Sequence, residues 1–131
     1  HLARHFGAEV TGVCSTANVA LVKSLGADHV IDYTREDFAT RGERYDIIFD
    51  AVAKSTPAQS AKALAPGGAY VTIAKLSTKQ SLEELRVLKE LIEAGQIKSV
   101  IDRCYPLEQI VEAHRYVATG HKKGNVVITV A

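Results

Sequence analysis

The stretch that decides the fold is residues 8–33, AEVTGVCSTANVALVKSLGADHVIDY. Glu9 to Ser15 is a short β-branched run between Gly7 and a set of turn formers, and it reads as a strand. Val19, Leu21, Val22 and Leu25 follow at helical spacing behind Asn18, which suits an N-cap, and Gly26 ends the stripe. His29 to Tyr33 is a second strand. Strand, helix and strand in such close succession form the repeating unit of a parallel sheet.

Working outward, the same alternation covers the chain. Residues 1–7 read as the tail of a helix, with His1, Leu2, His5 and Phe6 on its apolar side and Gly7 as its cap. Thr34 and Asp37 have the spacing of a capping box for a short polar helix. YDIIFDAV, residues 45–52, is nearly all apolar, as in a strand covered on both faces. Thr56-Pro57 opens a helix with proline at its first position. Pro66-Gly67-Gly68 turns the chain into AYVTIA, a strand over residues 69–74. Ser81 and Glu84 form a capping box for LEELRVLKELIEA, which Gly95 ends. IKSVIDRCY is strand-like. Pro106 starts a helix with an apolar stripe of Leu107, Ile110, Val111, His114, Val117 and Ala118, stopped by Gly120. A strand over residues 125–130 finishes the chain. The predicted class is therefore α/β, a doubly wound, Rossmann-like parallel sheet with right-handed crossovers.

The totals exclude several alternatives. With 16 basic and 15 acidic residues among 131, no overall field points to nucleic acid or a membrane surface. No apolar run reaches the ~20 residues of a membrane span. His1 to His5 has no apolar region of the kind a signal peptide carries. Cys14 and Cys104 do not make a disulfide framework, which gives a cytoplasmic expectation, and both read as inert core thiols. The histidines are scattered, with no spacing for a metal site. His114, alone in an apolar stripe, reads as a packing residue.

Four segments carry a resemblance. HFGAEVTGVCSTANVALVKSLGADHVIDY, YDIIFDAV, LAPGGAYVTIA and YPLEQIVEAHRYVATGHKKGNVVITV, in that order, resemble the cofactor domain of the medium-chain dehydrogenase/reductase superfamily, above all its zinc-independent quinone reductase-like branch. By that resemblance residues 1–131 are part of an NAD(P)-binding domain. The family's Gly-x-x-Gly-x-x-Gly loop, the strand before it and the N-terminal catalytic domain are not in these residues. After Lys75 the family usually carries an extra stretch, where here TIAKLSTKQS joins directly to the next helix. Ala53 and Ala74 stand where relatives often have glycine.

The resemblance implies a cofactor and its contacts. In NAD enzymes an Asp or Glu after the second strand accepts from both ribose hydroxyls. Here Ser15-Thr16-Ala17-Asn18 holds hydroxyls and no carboxylate, which favours NADPH. Tyr33 matches a tyrosine near the adenosine phosphate, whereas a lysine common in the family is replaced by Val19. Val52, closing YDIIFDAV, flanks the adenine ribose. Asp50 just before it reads either as a contact or as a cap for a local turn. Lys123 and Asn125 belong to the loop before the last strand, which in the family approaches the nicotinamide. The bland alternatives are that Ser15, Thr16 and Asn18 are only a strand exit and a helix cap, and that Lys122 and Lys123 are a solvated turn.

Two functions follow as expectations. One is the cofactor-binding part of an NADPH-dependent oxidoreductase that reduces a quinone or an α,β-unsaturated carbonyl. No residue of the 131 is a convincing general acid or base. The other is a non-catalytic nucleotide-binding or self-associating module. In the family strand order 3-2-1-4-5-6 the first strand is central, so the strands at residues 9–15 and 45–50 lack their shared neighbour. Unpaired buried backbone groups cost about 1–3 kcal/mol each. Either the two strands close up on one another, or another chain fills the slot, or the missing strand itself does; a homo-oligomer formed through sheet edges is the expected assembly.

Overall fold

The computed structural model describes residues 1–75 and 81–130. The elements alternate as predicted: α1 (Leu2–His5), β1 (Thr11–Cys14), α2 (Val19–Ser24), β2 (His29–Asp32), β3 (Tyr45–Asp50), α3 (Pro57–Ala61), β4 (Leu64–Thr72), α4 (Leu82–Glu93), β5 (Ile101–Pro106), α5 (Ile110–Ala118) and β6 (Asn125–Thr129). The direct join after Lys75 runs through residues 76–80 and lies outside the described residues.

All strand pairing is parallel, in three separate ladders: β1 with β2, β3 with β4, and β5 with β6. Among the described residues no ladder joins β1 to β3. These are the two strands that the sequence reading leaves without a shared neighbour, and they have not closed on one another. Their neighbourhood is open to solvent. Ile47 and Phe49 in β3 are 69% and 55% exposed, and Val13 in β1 is also exposed. The accessible surface is 9799 Å². A closed monomer of this mass exposes about 6,700 Å², so the three ladders leave roughly 3,000 Å² more surface open than a closed fold would.

Local chemistry fixes the helices. Ser81 and Glu84 cap α4 reciprocally: the Glu84 N–H donates to Ser81 Oγ at 3.1 Å, and the Ser81 N–H donates to Glu84 Oε2 at 3.0 Å. Thr56 and Gln59 do the same for α3, with Pro57 in its first turn. Each cap is worth on the order of 1 kcal/mol. Helix α2 lies directly on β1, because a Cβ at Gly12 would sit 2.4 Å from Val22 Cγ1. Glycine at that position lets the middle of α2 pack directly on β1.

The structure corrects several local expectations. Asn18 precedes α2 but makes no side-chain cap; a 3₁₀ turn over Thr16–Asn18 intervenes. Thr34 and Asp37 form no capping box. The Thr34 hydroxyl donates instead to Asp32 Oδ1 at 2.7 Å, while Asp37 caps a 3₁₀ turn through the Ala39 N–H at 2.9 Å. A charged acceptor two residues away outcompetes the helix start. Strand β4 starts at Leu64 rather than at residue 69, because the Tyr45 N–H donates to the Ala63 carbonyl at 2.9 Å and starts the pairing early. Pro66-Gly67-Gly68 is then absorbed as a bulge, the register passing from Tyr45–Leu64 to Ile47–Ala69. Helix α5 buries Ala113, while Leu107, Ile110, Val111, His114 and Val117 of the expected stripe are exposed. His114 therefore packs in no core. Cys104 is exposed on β5, unlike Cys14, which is buried.

Candidate functional site

Strands β1 and β2 end side by side, with Cys14 opposite Asp32 and the Tyr33 N–H donating to the Cys14 carbonyl at 3.0 Å. This register places Ser15 and Thr16 next to Tyr33, as the strand reading requires. Thr16 donates its hydroxyl to Asp32 Oδ2 at 2.5 Å. The Thr34 hydroxyl and N–H hold the other oxygen, at 2.7 and 3.0 Å. The Thr16 and Thr34 hydroxyls keep the Asp32 carboxyl below the usual carboxylate range, helped by the Arg35 charge. Burial, with the Asp32 charge nearby, pushes the Cys14 thiol up.

Ser15 and Asn18 are less committed. Ser15 Oγ accepts from Asn18 Nδ2 at 3.5 Å, and no acceptor for its own proton lies among the described residues. Asn18 Oδ1 is buried without a partner. Tyr33 is 62% exposed beside them, and no hydrogen bond is formed by its hydroxyl among the described residues. The turn after β1 thus retains polar capacity that the fold itself does not use. The Ser15 and Tyr33 hydroxyls can donate to an anion or a ribose oxygen, whereas the Asn18 Oδ1 can only accept, as from a ribose hydroxyl.

Asp50, at the end of β3, behaves differently. It accepts from the N–H groups of Val52 at 3.1 Å, Lys54 at 3.4 Å and Ser55 at 2.9 Å. The Ser55 hydroxyl donates to it at 2.8 Å and the Tyr70 hydroxyl at 3.2 Å. The Ser55 hydroxyl contributes most to holding its carboxyl far below the usual range. Asp50 is therefore the cap of its own loop, the second of the two roles open to it. Ala53 within that loop takes a φ of 53°. Val52 is 74% exposed and no hydrogen bond joins it to the Ser15 turn.

The third group comes from the far end of the chain. The Lys123 N–H donates to Asp102 Oδ2 at 2.8 Å, and the Tyr116 hydroxyl donates to the same oxygen at 2.6 Å. Tyr116 and the Lys123 N–H hold the Asp102 carboxyl low, and Asp102 in turn raises the Tyr116 phenol. The Arg103 guanidinium stacks 3.7 Å above the Tyr116 ring. The Lys123 ammonium reaches the Ala17 carbonyl at 3.3 Å. Asn125 only begins β6, its N–H donating to the Val100 carbonyl at 2.7 Å.

The structure thus brings Ser15, Thr16, Tyr33 and Lys123 to one turn, while no hydrogen bond among the described residues joins Val52 or Asn125 to it. Sequence reasoning missed two residues. Asp32 was legible in principle, since it precedes Tyr33 and parallel pairing brings its strand end to Thr16. Asp102 carries no signal in the sequence; only folding brings it to Tyr116 and Lys123. Among the described residues no three His, Cys, Asp or Glu side chains converge as metal ligands.

Comparison with known proteins gives a consistent answer. Residues 1–103 match the zinc-binding dehydrogenase family model. A 2-methylene-furan-3-one reductase from Solanum lycopersicum is 36% identical, over 97% of this chain and 35% of its own length. An NADPH-dependent alkenal/one oxidoreductase from Arabidopsis thaliana is 34% identical, over 97% of this chain and 36% of its own. Among solved structures, the quinone oxidoreductase from Coxiella burnetii superposes with a TM-score of 0.83 at 27% identity, over 99% of this chain and 47% of that one. The chain spans about a third of the length of the plant relatives and about half of the bacterial structure. It belongs to the zinc-binding dehydrogenase family, in the medium-chain dehydrogenase/reductase superfamily.

Proposed function

We propose that residues 1–131 form the adenosine-facing part of the cofactor domain of an NADPH-dependent oxidoreductase, acting on a quinone or an α,β-unsaturated carbonyl. The observation that carries this reading is the turn after β1. Its Ser15 hydroxyl keeps a proton to donate, and no carboxylate occurs in residues 15–18. Relatives named for NADPH-dependent alkenal/one, quinone and 2-haloacrylate reduction support the substrate class.

The bound dinucleotide would supply the hydride. The residues of this chain would bind and orient its adenosine end. Ser15 would donate to the 2′-phosphate, Tyr33 would frame it, and Asp32 would hold Thr16 and Thr34 in fixed rotamers beneath it. Ser15→Asp tests the assignment. A carboxylate within a few ångströms of a phosphate costs on the order of 4 kcal/mol at an effective dielectric near 20. The expected outcome is a reversal of preference from NADPH to NADH in titrations of the full-length protein. A wild-type protein that binds NADH more tightly than NADPH would refute the reading.

Self-association belongs to the same proposal. In the full-length protein the family's first strand would fill the slot between β1 and β3, while the outer edges of the ladders, such as those of β2 and β6, pair with no further strand among the described residues and can be extended by a second copy. Sedimentation of the full-length protein should give a dimer or larger species, and a stable monomer at high micromolar concentration would overturn this part.

A further inference from the structure

We propose that Lys123 supplies the positive charge of the 2′-phosphate pocket, brought to the β1 exit from the last loop of the chain. This rests on the NADPH reading and goes beyond it, because the resemblance places that loop at the nicotinamide. Lys123 also lies outside residues 1–103, the part matched by the family model.

The geometry carries the inference. Residues 15–19, Ser-Thr-Ala-Asn-Val, bring hydroxyls and an amide to the turn but no cation. The Lys123 Nζ sits 3.3 Å from the Ala17 carbonyl oxygen, two residues past Ser15 and inside the same turn. One carbonyl occupies only one of its three ammonium protons.

The loop that delivers Lys123 is fixed on both sides. Its N–H is tied to Asp102, which Tyr116 clamps in turn. At the next residue, a Cβ on Gly124 would lie 2.5 Å from the Val100 carbonyl oxygen, so only glycine lets the loop lie against β5 at that height. The Lys122 ammonium turns back to the Gly124 carbonyl of its own loop at 3.3 Å and makes no hydrogen bond to the turn after β1 among the described residues.

The other charges near the turn do not replace Lys123. Asp32 is negative and bound to Thr16. Arg35 acts on Asp32, partly neutralising it. Asp102 faces the Lys123 backbone and orients it. Lys123 is thus the cation that touches the turn itself.

The test is the ratio of the NADPH and NADH dissociation constants for the full-length protein, read from reduced-nicotinamide fluorescence. Lys123→Ala should shift that ratio toward NADH on the order of tenfold, the scale of one charge-assisted contact. Lys123→Arg should restore most of it. Asp102→Asn, which only loosens the loop, should shift the ratio the same way by less. A preference for NADPH that survives Lys123→Ala unchanged overturns the assignment and leaves the Ser15 reading standing. An equal loss for both dinucleotides also overturns it, by showing that the lysine only holds the loop. A wild-type preference for NADH overturns the NADPH reading and this inference with it.

Discussion

Two aspartates end adjacent parallel-strand units and do opposite things. Asp50 closes β3, and its oxygens are spent on Ser55, Tyr70 and the N–H groups of its own loop. Asp32 closes β2, and its oxygens tie Thr16 to Thr34 across two strand exits. Both carboxyls sit below their ordinary range because hydrogen bonds favour the ionised form. Position at a strand end therefore does not identify a ligand contact. What separates the two is where the spare polar capacity lies. The Asp50 loop satisfies its carboxylate from within, whereas the turn beside Asp32 leaves Ser15 and Asn18 with atoms unused.

Removing each charge should expose this difference. Asp50→Asn is expected to lower the melting temperature most, by roughly 5–10 °C at neutral pH, because the amide would turn a donor toward N–H and O–H groups that need an acceptor. The sign in pH follows from the depressed folded value. Stability from Asp50 is complete above the ordinary carboxylate range, near pH 4, and is lost as the pH falls through the lower folded value. The gap between wild type and Asp50→Asn should therefore narrow in acid. Asp32→Asn should change the melting temperature little and act on the ligand instead. Loss of a negative charge beside the turn should raise the NADPH preference roughly threefold to tenfold. Thermal melts at several pH values and paired titrations check both. The contrast collapses if the two variants lose the same stability and leave the cofactor ratio alone.

The sequence made the elements legible wherever one local rule governed the outcome. Ser81 with Glu84 and Thr56-Pro57 announce helices that the structure caps as read. The unpaired edges of β1 and β3 follow from the strand order that the resemblance implies. Legibility failed where a charged acceptor close in sequence outbid the expected cap, and where no element covered an apolar stripe. Thr34 turned to Asp32 rather than to a helix start, and α5 laid Ala113 inward while its longer apolar stripe stayed open. In the site, the nearness of Ser15 and Thr16 to Tyr33 was readable because parallel register aligns the ends of consecutive strands. The reach of Lys123 to Ala17 was not, because residues 106 apart in sequence are joined there.

The smallest effect sharpens the comparison at the backbone. Ala53 holds a φ of 53°, in the left-handed region that a Cβ disfavours. It sits between Val52 and Lys54, whose N–H groups both point at Asp50. The strained residue is thus what bends the loop around its carboxylate; the Ser15 turn needs none, and no residue from 15 to 18 has positive φ. Left-handed backbone costs a non-glycine residue roughly 1–2 kcal/mol. Ala53→Gly removes that cost but gives the unfolded chain more freedom, worth about 0.4–1 kcal/mol in the opposite direction. The net expectation is a stabilisation of about 0.5–1 kcal/mol, from the difference of those two terms. Urea unfolding should show it as a higher midpoint at constant slope. The gain should shrink in the Asp50→Asn background, because the loop would no longer have a full carboxylate to wrap. An Ala53→Gly gain equal in both backgrounds would show that the strain is independent of Asp50, and that the closed loop is not built around its carboxylate.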